Sequence, residues 1–443
     1  MRGERFLVGA VLALLVWLPW PLGSNRPWSA ALLIAVVGGL LALWGGLLLR
    51  DPHRRHWAPL RLAAPMLALL LAVQAWVAMQ LALGLSSDPG ATLRSLALGL
   101  AYAGLFILVV GLFKTRQRLT LLLGVLLAAA VLQAFYAVAL VLADVDWLTI
   151  GPSSRQVASG SYVNRNHLAG YLSMSLAIGI GLLLALREDR AFRWHQLPGL
   201  LIGPKAWIRL GLIILVIALV MTRSRMGNAA FFSSLLLVGM AFTALTPQHR
   251  LRNALILISV LVIDVLVISQ WFGLEALQQR LAETRFADEV VAGEVVRREN
   301  VQRDDVVVYA LPQWQERPWV GFGAGAFEAS FQRFPGRDVT GLYDHAHNDY
   351  LEFAIEYGLV GWLPLAGFVG LALWHAGRAM AGYHSLYRSG VGTGALMGLV
   401  ALLIHSATDF NLQIPANAAL FVVLAAVAVL ARTHRLRRRM TRH

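Results

Sequence analysis

Apolar runs of about 20 residues, the length that crosses a bilayer as a helix, recur through the whole chain. Twelve are present, at about 6–23, 29–49, 62–84, 92–113, 119–143, 167–186, 207–222, 227–245, 254–272, 348–375, 391–406 and 416–431. Lipid tolerates only backbone whose polar groups are internally satisfied, so runs of this length must be helices. The predicted fold class is therefore an all-α integral membrane protein of about twelve transmembrane helices with one long, partly helical loop. The first run follows Arg2 and Arg5 but lacks a small-residue cleavage site, so it reads as a retained span.

The chain carries a net charge of +14. Such a charge suits nucleic acid, but here it is spread as short clusters between apolar runs, which is how the positive-inside rule distributes it. With an inner N-terminus, 24 of the 38 basic residues lie on the inner side, and eight of the other 14 sit in one loop too long for that rule. Both termini are expected to be cytoplasmic, and no nucleic-acid partner is expected. The basic tail, 432–443, reads as an anchor against anionic membrane lipid. The absence of cysteine excludes disulfides and thiolate metal sites. The expected organisation is helices 1–9 over 1–272, a periplasmic loop over 273–347 and helices 10–12 over 348–431.

With that topology the unusual polar stretches all reach one outer surface: GSYVNRNH (160–167), TRSRMG (222–227), the long loop, HAHND (345–349) and HSATDFN (405–411). Four helices are expected to begin at or just after them. Helix N-termini present unpaired N–H groups and partial positive charge, so several of them beside Arg165, Arg223 and Arg225 make a diphosphate pocket. Arg298 and Arg303 in the loop are further phosphate candidates. For each of these arginines the plain alternative is a snorkelling or ion-paired interface residue.

The loop is predicted helical over 274–289 and 298–316, ending before Pro318. GFGAGAF (321–327) lacks the strand and the full glycine spacing of a nucleotide fingerprint and reads as a tight turn. His345 and His347 are the candidates for proton transfer from a hydroxyl. In extended backbone they face opposite ways, so one of them is expected to act. A histidine capping the next helix and a metal site of Asp344, His345, His347 and Asp349 are the alternatives, the latter disfavoured by the residue set; no cofactor and no metal are expected. Asn348, Glu352 and Glu356 share one helical stripe, which either meets sugar hydroxyls, orients a histidine or is the wet side of the helix.

His347-Asn348, nine residues, then Gly358-Leu-Val-Gly361 resembles the signature of bacterial O-antigen ligases. With GSYVNRNHLAGYL, SRMG, the Arg303…Trp314…Pro318…GFGAGAF loop and HSATDFNLQIP, the chain from about residue 155 onward resembles the O-antigen ligase and polymerase superfamily. The resemblance implies a GT-C-type glycosyltransferase that takes a glycan from an undecaprenyl-diphosphate-linked donor. Transfer goes to a lipid A core or lipid-linked glycan acceptor at the periplasmic face of the bacterial inner membrane, without metal or nucleotide sugar. It implies His347 as the catalytic residue and Arg225 and Arg303 as donor diphosphate-binding residues, with Arg298, Arg223 and Arg165 behind them. Asn348, His345, Glu352, Asn166, His167 and Asp409 are the supporting residues. Ligase is the expected activity, with repeat-unit polymerase as the alternative and a lipid-linked glycan transporter as the second. Transport is disfavoured because the charges crowd one surface and no half-repeat is visible.

Overall fold

The computed structural model describes residues 2–50, 57–143, 157–187, 203–246, 289–291, 294–296, 301–334, 343–382 and 385–433, together with Arg250 and Ile258. Thirteen α-helices lie within them: α1 (Arg2–Trp17), α2 (Pro27–Arg50), α3 (Trp57–Ala82), α4 (Pro89–Leu112), α5 (Arg116–Ala143), α6 (Arg165–Ala185), α7 (Pro204–Met221), α8 (Arg225–Leu245), α9 (Val301–Glu316), α10 (Phe327–Phe331), α11 (Asp349–Met380), α12 (Leu386–His405) and α13 (Pro415–Thr433). Nine of them, α2 to α6, α8 and α11 to α13, are long and apolar enough to cross a membrane. The chain is an all-α, multi-pass membrane protein. Helices α1 and α7 occupy the positions of the first and seventh predicted runs; the ninth run, Ile258 apart, lies outside the described residues.

The loop departs from its predicted pattern. Glu289, the expected end of a helix, lies instead in a short antiparallel hairpin, Glu289–Val291 paired with Glu294–Val296. Paired valines on either side of an Ala-Gly connection favour a hairpin over a helix. The rest of the first predicted loop helix, and Arg298, lie outside the described residues. The second loop helix is present as α9.

Local sequence sets the helix starts. Asp88, Asn164, Ser224, Asn348 and Ser385 each cap a helix by accepting a backbone N–H, at 3.0 Å from Ala91, 2.9 Å from Asn166, 3.2 Å from Gly227, 3.1 Å from Leu351 and 3.4 Å from Arg388. The Ser385 cap starts α12 five residues before the predicted run. Its glycine-rich first half stays helical because Gly390, Gly394 and Gly398 form a stripe on which α6 lies almost backbone to backbone. A Cβ at Gly394 would sit 2.7 Å from the Ala177 carbonyl, and one at Gly398 3.4 Å from the Ala177 Cβ. Between membrane helices, close approach of small residues replaces the missing hydrophobic drive. Helices α6, α12 and α13 form the buried centre of the bundle, whereas α2 lies mostly exposed.

Helix α11 is broken at Gly358 (φ 59°, ψ 178°), where the chain passes Trp319 so closely that a Cβ would collide with its carbonyl. The carbonyls freed by the break all find donors. Ile355 O accepts Phe322 N (2.9 Å), Glu356 O accepts Gly323 N (3.0 Å) and Gln80 Nε2 (2.9 Å), and Tyr357 O accepts Trp76 Nε1 (2.7 Å). Leu359 N and Val360 N in turn donate to Pro318 O and Trp319 O. The GFGAGAF segment is thus a turn, with positive φ at Gly321, Gly323 and Gly325, zipped onto α11 and tied to α4 by Ser87 N to Phe322 O (2.8 Å).

Candidate functional site

The polar stretches singled out in the sequence converge at one end of the bundle, where α6, α8, α11 and α13 begin and α12 ends. Ala158 N reaches Met221 O (3.0 Å), Asn417 Nδ2 reaches His167 O (2.9 Å) and Asp349 N reaches Ser406 O (2.9 Å). At the start of α8, a Cβ on Gly227 would lie 2.6 Å from the Ala169 Cβ and 3.2 Å from His405 Cε1. The N-terminus that follows Arg225 is therefore pressed directly against the histidine-bearing ends of α6 and α12.

Asp409 and Phe410 are the hub. Asp409, 1% exposed, faces His167 Nε2 at 3.5 Å and His347 Nδ1 at 3.9 Å. Three imidazoles surround the Phe410 ring: His345 stacks on it (4.1 Å, 22°), while His167 (4.6 Å, 71°) and His347 (5.0 Å, 62°) meet it edge-on. His345 and His347 therefore converge, contrary to the extended-segment expectation. The cause is the left-handed backbone at His347 (φ 51°), which reverses the chain. Such a conformation is strained for a non-glycine residue and persists only where surroundings enforce it.

Glu352 supplies that enforcement. It is fully buried, and its two oxygens hold the loop in place by accepting Ala346 N at 2.8 Å and pairing with His345 Nδ1 at 2.7 Å. Burial alone lowers the basicity of His345, but the Glu352 charge and hydrogen bond outweigh it and raise its pKa to about 9. Burial also opposes ionisation of Asp409, yet the facing imidazoles of His167 and His347 keep its carboxyl well below the usual carboxylate range. Glu356, likewise buried, accepts Phe327 N at 3.2 Å. Of the readings of the Asn348–Glu352–Glu356 stripe, the wet face is wrong for both glutamates: they point into the loop because it supplies N–H and imidazole partners. Asn348 caps α11 and donates from Nδ2 to Ala407 O at 3.1 Å.

Around this hub several buried polar atoms have no hydrogen-bond partner: His167 Nε2, His347 Nδ1, His405 Nδ1, Asp409 Oδ2, Asp349 Oδ1 and Ser406 Oγ. Buried polar atoms are ordinarily paired, so a concentration of orphans marks a place shaped for something else. No group of three or more metal-ligating side chains occurs among the described residues.

Arg225 opens α8, and Arg223 precedes its cap with a left-handed backbone (φ 51°); both are exposed, and neither pairs with a carboxylate among the described residues. Arg165 is the exposed first residue of α6, followed by half-buried Asn166. Arg303 lies in the first turn of α9, with its side chain outside the described residues. His405 and Phe410 were not picked out as site residues, although both lie in the HSATDFN stretch; a histidine directly preceding a polar break was the available signal.

Residues 210–366 match the family model described as O-antigen ligase. That segment is similar to the O-antigen ligase/polymerase superfamily. It contains Arg225, Arg303, His345, His347 and both glutamates. It stops short of His405–Asn411 and begins after His167, so the hub pairs family-matched residues with partners from α6 and from the end of α12. No curated protein matches the chain.

Proposed function

We propose that the chain is an O-antigen ligase-type glycosyltransferase, moving a glycan from an undecaprenyl-diphosphate-linked donor to a sugar hydroxyl of a lipid A core at the periplasmic face of the inner membrane. The observation that carries this reading is His347, held in a left-handed turn with Nδ1 facing buried Asp409. A carboxylate opposite Nδ1 favours the tautomer with the proton on that nitrogen and leaves Nε2 free to accept one.

The acceptor oxygen attacks the anomeric carbon from the face opposite the diphosphate, with inversion. Its proton passes to His347 Nε2, and the carbon–oxygen bond to the diphosphate breaks with its electron pair leaving on the phosphate. Arg225 and Arg223, at the α8 N-terminus, stabilise that departing charge, and the exposed N-terminal turn of α6 with Arg165 adds to it. Arg303 and Arg298 are the loop residues assigned to the same diphosphate. His167 and Asp409 hold the position of His347, and His345 with Glu352 holds the turn that presents it.

The test is an in vitro reaction with purified protein, an undecaprenyl-diphosphate-linked glycan and EDTA, offering lipid A core and a second lipid-linked glycan as separate acceptors. Product on lipid A core supports the ligase. A ladder of longer lipid-linked glycan makes the enzyme a repeat-unit polymerase built on the same site. Recovery of activity only with added divalent metal overturns the metal-independent mechanism.

A further inference from the structure

At the other end of the bundle the charge balance is reversed. Helix α11 carries Arg378 near its C-terminus, roughly 44 Å along the helix from its first residue at 1.5 Å per residue. Arg388 lies in the first turn of α12 and Arg432 in the last turn of α13, so the three arginines meet where these helices end and begin. Arg388 is near enough to feel the charges of both Arg378 and Arg432, and Arg432 that of Arg378.

Arginines anchoring a helix at a bilayer surface normally reach outward and apart, which lowers their mutual repulsion. Arg388 and Arg432 instead fold inward. Arg388 bends back over the α11–α12 turn, where a Cβ on Gly382 would lie 3.2 Å from its Nε, and its Nη2 reaches Arg378 O at 3.5 Å. Its Nε is buried without a partner. Arg432 lies over the Trp374 ring at 4.1 Å and donates to His375 Nδ1 at 3.1 Å. The partners are thus an aromatic face, a neutral acceptor and a carbonyl, none of which offsets charge.

Among the described residues there is no free local counter-charge either. No Asp or Glu occurs from 357 to 408 or after Asp409. Among the described residues the carboxylate at this end is Glu4, already engaged by Lys114 at 3.8 Å and Arg118 at 3.1 Å. Arg116, packed over Tyr387 at 4.4 Å, adds another cation beside Arg388.

We propose that Arg378, Arg388 and Arg432 form a binding site for the phosphate of an anionic glycerophospholipid. The site lies at the membrane surface opposite the histidine hub and is distinct from the donor site. Guanidinium forks match phosphate oxygens, exposed Trp374 sits against Arg432, and a lipid phosphate supplies the negative charge that the described residues at this end lack.

The test is native mass spectrometry of the full-length, detergent-solubilised protein titrated with phosphatidylglycerol, phosphatidylcholine or inorganic phosphate. Expected is selective retention of phosphatidylglycerol, weakened about five-fold for each arginine converted to glutamine in Arg378→Gln, Arg388→Gln and Arg432→Gln. Arg388→Lys, which keeps the charge, and Arg61→Gln, an exposed arginine on α3 at the same end, are expected to retain it. Equal binding of phosphatidylcholine, unchanged affinity in the glutamine variants, or an equal loss in Arg61→Gln would overturn the proposal. So would displacement of the lipid by millimolar inorganic phosphate, which would make this a site for the free ion. Should Arg378→Gln or Arg388→Gln not fold, the Arg432→Gln variant decides.

Discussion

The break at Gly358 lies within α11 and the cluster around Asp409 packs at its start, and they treat polar atoms in opposite ways. At the break, the carbonyls of Ile355, Glu356 and Tyr357 all receive donors from the glycine loop or from α3. At the cluster, three histidine nitrogens and two carboxylate oxygens have none. Unsatisfied buried groups each cost on the order of 1–3 kcal/mol, so they persist only where the surroundings are firmly held. The saturated break is the frame, and the unsaturated cluster is where the proposed mechanism places substrate.

That contrast is open to attack. The largest expected effect is on transfer: His347→Ala should lower turnover by about 100-fold or more, the scale of general-base catalysis, while thermal melting is unchanged. A variant retaining full turnover would dissolve the distinction. Asp409→Asn removes the charge facing His347 and His167 and is expected to lower turnover by about ten-fold or more while donor binding, read by titration, persists. Gly358→Ala attacks the frame instead. A side chain must then take φ near 59° against the Trp319 carbonyl, so a loss of about 2–3 kcal/mol, read as a fall in melting temperature, should precede any specific loss of chemistry.

The His345–Glu352 pair supplies a pH handle on the boundary between the two regions. His345 binds its proton more tightly folded than unfolded, so the pair's stabilisation is complete below about pH 6.5 and is lost as pH rises through about 9. Hydrogen exchange at Ala346 N should accelerate across that interval. In Glu352→Gln the acceleration should begin at lower pH; an identical profile would remove His345 from the frame. The smallest effect is expected from Asn348→Ala, which deletes the α11 cap and should cost about 1 kcal/mol.

Much of the helical frame was legible because bilayer thickness imposes a length on apolar runs. The convergence of the polar stretches was also legible, because alternating spans send them to one surface. Three things were not. The facing of His345 and His347 depends on a φ reversal that no residue type at 347 announces. The burial of Glu352 and Glu356 depends on loop N–H groups contributed from elsewhere in the chain. The pairing of Glu289–Val291 with Glu294–Val296 follows two valine pairs too short to outweigh a helical pattern on either side.

The bonds from Trp76, Gln80 and Ser87 to the segment around 318–357 also bear on how such proteins can be recombined. The early helices resemble the family only in being greasy, which suggests that they could be exchanged freely between relatives. Yet α3 and the turn into α4 supply donors to a backbone strip more than 200 residues later, 240 positions separating Gln80 from Val320. A chimera joined anywhere between these two stretches would pair one parent's donors with another parent's carbonyls. The two stretches form a single cassette and must be inherited together.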